Sequence, residues 1–221
     1  MSELIEEVNQ LKNISQFIAD KLEAAILNGE MKPGERLIQT EVAERFGVSR
    51  LPVRDAFALL IKKELVANLP RKGVEVRRID VEEIENLFEL RLLIESYAVT
   101  KSLPRLKAEA IEQAKQLVKE QSKLSRNQFD RLLDIDESFH RILWSCCGNS
   151  ELEEHLSMIW RRIKFIRAYA RDIKKWKSAS IENHELLLHA IETGDNKGAV
   201  RILKQGIERS RKEILDFIGS P

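Results

Sequence analysis

TEVAERFGVSRLPVRDAFALLIKKELVANLPRKG, Thr40 to Gly73, decides the fold. It reads as a helix, a tight turn, a second helix, and a short hairpin with a basic tip. Gly47 closes the first helix, because the residue after a helix end often needs a positive φ that Gly adopts cheaply. Ser49 is placed to cap the next helix, and Pro52 falls in its first turn, where the missing N–H costs nothing. Arg50 and Arg54 then stand four apart on one face near that N-terminus, as in a recognition helix entering a major groove. Leu65-Val66-Ala67 and Val74-Glu75-Val76 flank the tip that holds Arg71, Lys72 and Gly73. Two short apolar strands after such a helix predict a winged helix-turn-helix, with the tip at phosphates or the minor groove.

Charge distribution agrees with that reading better than total charge does. The 221-residue chain is 43% hydrophobic and 33% charged, with a formal net charge of only +1. Between Arg45 and Arg77, eight Lys/Arg face three Asp/Glu, a basic stretch on a neutral protein. No apolar run reaches the roughly 20 residues of a membrane span, and no signal pattern opens the chain. The two cysteines, Cys146 and Cys147, are adjacent, which argues for a reducing cytoplasm and no disulfide framework.

On either side the organisation is helical. Residues 1–12 form a polar lead, frayed or part-helical, and Asn13 or Ser15 can cap a helix carrying Ile14, Phe17, Ile18, Leu22 and Ile26. The winged domain is set at 13–77, a linker at 78–82 and an all-helical domain at 83–221. Asp80 and Glu83 resemble a capping box opening a helix to about Ser102. Five more amphipathic segments follow, at about 106–124, 127–146, 150–172, 179–193 and 196–218, with the charged stretch from Asp172 to Lys177 read as a break. The fold class is therefore mainly α: a winged helix-turn-helix with a small β-hairpin wing, then a six-helix bundle.

With these motifs in order, the chain resembles GntR-family transcription regulators of the FadR subfamily. The likeness rests on ILNGEMKPGERL, EVAERFGVSRLPVRDAFALL and Gly73 in the first domain. In the second it rests on LFELRLLIE (87–95), DESFHRIL (136–143) and NHELLLHAIETGD (183–195). Six rather than seven C-terminal helices resemble the VanR branch, with its FCD-type bundle. The resemblance implies a homodimer on a near-palindromic double-stranded operator, usually a repressor released by a small carboxylate effector. It places Arg50 and Arg54 on guanine edges or phosphates and Gly73 in the wing. Thr40 stands where some relatives carry a further DNA-contacting arginine.

The second domain holds a candidate metal site. Asp136 and His140 project from one helix face at i, i+4, a spacing that suits two ligands on one ion. His184, on a later helix, can face them, and such a set suits zinc or nickel. The resemblance implies one Asp and three His, with Gly206 where the third His is expected. A mid-helix Gly costs roughly 1 kcal/mol relative to Ala, which makes sense if space is needed there for a ligand. The alternative is a decayed site with two core histidines. Arg91 either holds an anionic effector or pairs internally with Glu95, its i+4 neighbour. Arg162 and Arg167 are weaker effector candidates, and Trp144, Trp160 and Trp176 read as packing anchors. A metal-dependent enzyme lacks a second acid/base set, a nucleophile motif and a phosphate loop. An effector-independent DNA-binding protein stays open as a further alternative.

Overall fold

A computed structural model of the chain describes residues 2–27, 29–69, 73–78, 80–125, 128–169 and 173–218, for 2–12 and 173–175 by backbone alone. The chain divides into two compact units, Met1–Ile79 and Asp80–Pro221.

The first unit contains α1 (Ser2–Leu27), β1 (Arg36–Leu37), α2 (Gln39–Phe46), α3 (Arg50–Lys62), β2 (Val66–Leu69) and β3 (Gly73–Val76). The predicted start of the first helix is corrected: α1 runs continuously from Ser2, so Asn13 and Ser15 lie inside it rather than capping it. Ile18, Ala19, Leu22 and Ile26 of α1 are buried, and α1 packs against α3, whose buried residues are Pro52, Val53, Ala56, Phe57 and Leu60. Gly47, at φ 65°, ends α2 with cap N–H groups donating to the Ala43 and Glu44 carbonyls, which is the turn the sequence required.

The wing is larger than the predicted hairpin. β1 joins it to give an antiparallel sheet in the order β1-β3-β2, with Leu37 opposite Val74 and Asn68 also opposite Val74 on the other side. A two-residue strand carries no readable alternation, so β1 was invisible in the sequence. Gly73 has φ 87°, and a Cβ there would lie 2.3 Å from the Leu37 carbonyl oxygen. The glycine is thus required by contact within the sheet. Gly73→Ala should destabilise the first unit by about 1–3 kcal/mol or more from backbone strain. Urea unfolding checks this, and an unchanged midpoint would contradict it.

The second unit contains α4 (Val81–Ser102), a 3₁₀ turn (Leu103–Arg105), α5 (Ala108–Lys123), α6 (Phe129–Trp144), α7 (Ser150–Tyr169), α8 (Ile173–Glu192) and α9 (Asn196–Ile218). Asp80 does cap α4, but its carboxylate accepts from the Glu82 N–H, while Glu83 pairs with Arg162. The capping box is therefore only half realised. The predicted break before residue 179 is also corrected, since α8 starts at Ile173. Lysine is a good helix former, and Trp176, Ser180, Asn183 and His184 recur on one buried face. In this unit α4 packs on α6, α7 and α9, α5 on α6 and α8, and α8 on α9.

Candidate DNA-reading helix and effector cavity

Arg50 and Arg54 are both exposed at the N-terminal end of α3. Gln39 of α2 donates to the Arg50 carbonyl at 2.6 Å, tying the two helices of the motif together. The sequence reading did not foresee this clamp. Ser49 occupies the N-cap with extended backbone, but its side chain makes no capping hydrogen bond, which corrects that part of the prediction. Thr40 sits half-buried in the first turn of α2. Arg54 Nε lies 3.5 Å from Asp55 Oδ1, a loose pair with both side chains more than half exposed, so water and phosphate compete for it readily. Two of the basic residues counted in the sequence are already neutralised: Lys63 pairs with Glu23 and Arg77 with Glu64. Arg71 and Lys72 lie outside the described residues.

The second site is a cavity in the helical unit, partly open to solvent. Arg91 of α4, Asp136 and His140 of α6, Trp176, Ser180, Asn183 and His184 of α8, and Gly206, Arg209 and Glu213 of α9 all line it. On α6 the buried positions Phe129, Leu132, Leu133, Asp136, Phe139, His140 and Leu143 form one helical stripe. Asp136 and His140 thus interrupt an otherwise apolar face, the pattern that marked them in the sequence.

Asp136, His140 and His184 meet. One ligand atom from each lies within 4.8 Å of the others, and all three residues are buried. His184 Nε2 is 3.4 Å from Asp136 Oδ1. Two donors each about 2.1 Å from a tetrahedral ion would stand about 3.4 Å apart, so this spacing fits a divalent metal. Both rings are aimed by their other nitrogen. His140 Nδ1 lies 2.7 Å from Glu95 Oε1, and His184 Nδ1 lies 3.1 Å from Gln121 Oε1. Both oxygens accept, so each Nδ1 carries a proton and each Nε2 is the nitrogen left for the cavity. Gln121 Nε2 in turn donates to Ser180 Oγ at 3.2 Å, and Ser180 donates to Asp136 Oδ1 at 2.8 Å. Phe139 stacks on the His184 ring at 3.8 Å, and Trp160 lies 4.7 Å from that of His140.

Electrostatics keep His184 in its ligating form. Burial pushes His184 down to about 3 against the pull of Asp136, so its ring is neutral at pH 7. Burial alone would raise the Glu95 carboxyl, but Arg91 and His140 beside it hold it at about 2. Glu95 stays ionised and accepts from Arg91 Nε at 2.6 Å. Arg91 therefore makes the internal pair with Glu95, and it also lines the cavity, stacked 4.1 Å over Trp160.

Other expectations are corrected. Arg162 does not line the cavity; it reaches Glu83 at 2.6 Å, which removes it from the effector set. Gly206 lines the cavity, but the room beside it is taken. A Cβ at 206 would lie 2.4 Å from Asn183 Oδ1, so the Asn183 amide stands where that side chain would begin. Trp176 is a cavity wall as well as a packing residue, and it carries the buried Arg167 guanidinium 4.9 Å above its ring. His155 and His189 are exposed; both cysteines are free, as their adjacency in the sequence implied. Glu95, Gln121, Ser180 and Asn183 were missed as site residues. Their types are commonplace, and only an i+4 pairing with Arg91 flagged Glu95.

Comparison with known proteins identifies both units. Residues 14–76 match the family described as bacterial regulatory proteins, gntR family, and residues 86–209 match the FCD domain. The chain belongs to the GntR family of bacterial transcription regulators, FCD type. The regulator is 30% identical over 158 residues to the Nta operon transcriptional regulator of Aminobacter aminovorans, covering 72% of each chain. To the gluconate operon transcriptional repressor of Bacillus subtilis it is 27% identical over 211 residues, covering 90% of this chain and 84% of that one. A GntR protein from Rhodococcus sp. RHA1 superposes with a TM-score of 0.77 at 25% identity, over 91% of this regulator and 97% of that chain. These are DNA-binding regulators and not enzymes. Among the described residues, no helix is long and apolar enough to cross a membrane.

Proposed function

We propose that this regulator is an operator-binding repressor, acting in the cytoplasm, whose DNA affinity answers to a small carboxylate in the metal-competent cavity. The convergence of Asp136, His140 and His184, with both imidazoles fixed through Nδ1, carries this reading. A satisfied pair of core histidines needs no third ligand and no shared direction. Asp136 and the two Nε2 atoms would hold a zinc or nickel ion, which contributes an electrophilic anchor for a carboxylate. The absence of an imidazole at 206 leaves three protein ligands, the number that keeps a coordination position open. Two of the relatives are named for operons they regulate, and one is named a repressor.

Two half-sites require two copies of the winged unit, so the regulator acts as a homodimer. Leu90, Leu93 and Tyr97 on α4 support this. They are 45%, 63% and 55% exposed and follow one another at helical spacing, an apolar stripe suited to a second copy of itself. Arg50 and Arg54 read bases, while Arg71 and Lys72 add phosphate contacts near the wing. The carboxylate acts by preferring one of two arrangements of the dimer, and operator affinity changes by that difference.

Thermal unfolding of the metal-stripped full chain tests the reading. At a free zinc concentration a thousand times Kd, native-state binding adds about 4 kcal/mol. For a chain of this size that raises Tm by on the order of 10 °C. His184→Ala should abolish the rise while leaving the metal-free Tm near its original value or below it. A rise of equal size in His184→Ala, or no rise with zinc or nickel, would reject the metal site.

A further inference from the structure

The charges around the cavity balance without an ion. Arg91 faces Glu95, Arg167 and Arg209 lie 3.7 and 4.0 Å from Glu213, and Asp136 faces His184, whose Nδ1–H is spent on Gln121. Three guanidinium groups thus meet three carboxylates. A divalent ion on Asp136, His140 and His184 adds two positive charges that this cluster does not offset. Uncompensated charge in a buried cavity is costly, so the site calls for two negative charges from outside.

The cavity also has a place for each. One is the open side of the ligand triad. The other is Arg209, on α9 one helical turn beyond Gly206 and 39% exposed, so reachable from solvent. Its Nη2 donates to the Ala179 carbonyl, while its Nε lies 4.0 Å from Glu213, beyond hydrogen-bond range. A guanidinium offers five N–H donors, so an incoming carboxylate can be taken without breaking the Ala179 bond. The Ser210 hydroxyl and the Asn183 amide line the same cavity.

We propose that the effector of this cavity is a small dianion, a short dicarboxylate, with one carboxylate toward the triad and the other on Arg209. The proposal rests on the metal reading above and adds the charge of the ligand. Calorimetric titration of the zinc-loaded full chain with succinate and with butyrate tests it, since the two acids match in carbon number and differ by one carboxylate. Succinate should bind tighter by about tenfold or more, the worth of a charge-assisted hydrogen bond. Arg209→Gln should remove that preference by weakening succinate alone, and its zinc-induced Tm rise should persist, which proves the fold and triad intact. Glu213→Gln, which frees Arg209 and Arg167 of their shared carboxylate, should tighten succinate. Equal affinity for the two acids, a preference unchanged in Arg209→Gln, or zinc binding with no response to either acid overturns the dianion. Failure of zinc to bind removes the metal reading itself and the dianion with it, and the zinc arm alone tells the two failures apart.

Discussion

Arg54→Ala should abolish specific operator binding while leaving the fold unchanged. The side chain is 69% exposed at the start of α3, and its one ion pair, to Asp55, is loose, so its loss opens no cavity and strands no buried charge. A bidentate arginine on guanine contributes about 1–3 kcal/mol of discrimination, and a symmetric dimer uses it twice, giving about 2–6 kcal/mol at the operator. Non-specific binding loses only one phosphate-range charge per subunit and falls far less. Gel shift with operator and scrambled duplexes, at two salt concentrations, separates the two effects. Retained preference for operator in a folded Arg54→Ala protein would sink the recognition-helix assignment.

Leu93→Asp should turn the proposed homodimer into a monomer. Leu93 is the most exposed of the three stripe residues on α4, so the substitution costs the isolated chain little. In a two-fold interface each residue counts twice. Losing the burial of two leucines costs about 3–6 kcal/mol, before the added penalty of two carboxylates facing each other. Sedimentation at micromolar concentration should show a single-chain mass, and operator affinity should collapse because one winged unit reaches only one half-site. A dimer of undiminished stability would move the interface to another face of the bundle.

The local chemistry of the DNA-reading half was legible because helix ends and turns are decided by neighbours in sequence. Gly47 had to end α2, and it does so at φ 65°. Pro52 fits only the first turn of α3, and Arg50 and Arg54 follow from that start by helical spacing. Asp136 and His140 were legible for a related reason, as polar residues on an otherwise buried stripe. Where the same short-range logic used composition alone, it erred: Asp172 to Lys177 looked like a charged linker, and the residues from Ile173 onward are helix.

Tertiary structure decided what no spacing rule reaches. Gln121 is 63 positions from His184, and Glu95 is 45 from His140, yet these pairs choose which nitrogen of each ring faces the cavity. Packing sent Arg162 to Glu83 and away from the cavity, and it filled the room beside Gly206 with Asn183. It also brought two residues, Arg36 and Leu37, into a sheet that a two-residue run cannot announce. Sequence by itself determined that Arg50 and Arg54 share one helix face and Asp136 and His140 another. Which faces meet, and so which donor orients which ligand, depends on how α4, α6, α8 and α9 close around one cavity with α5 packed behind α6 and α8, a property of the packed core and not of any segment.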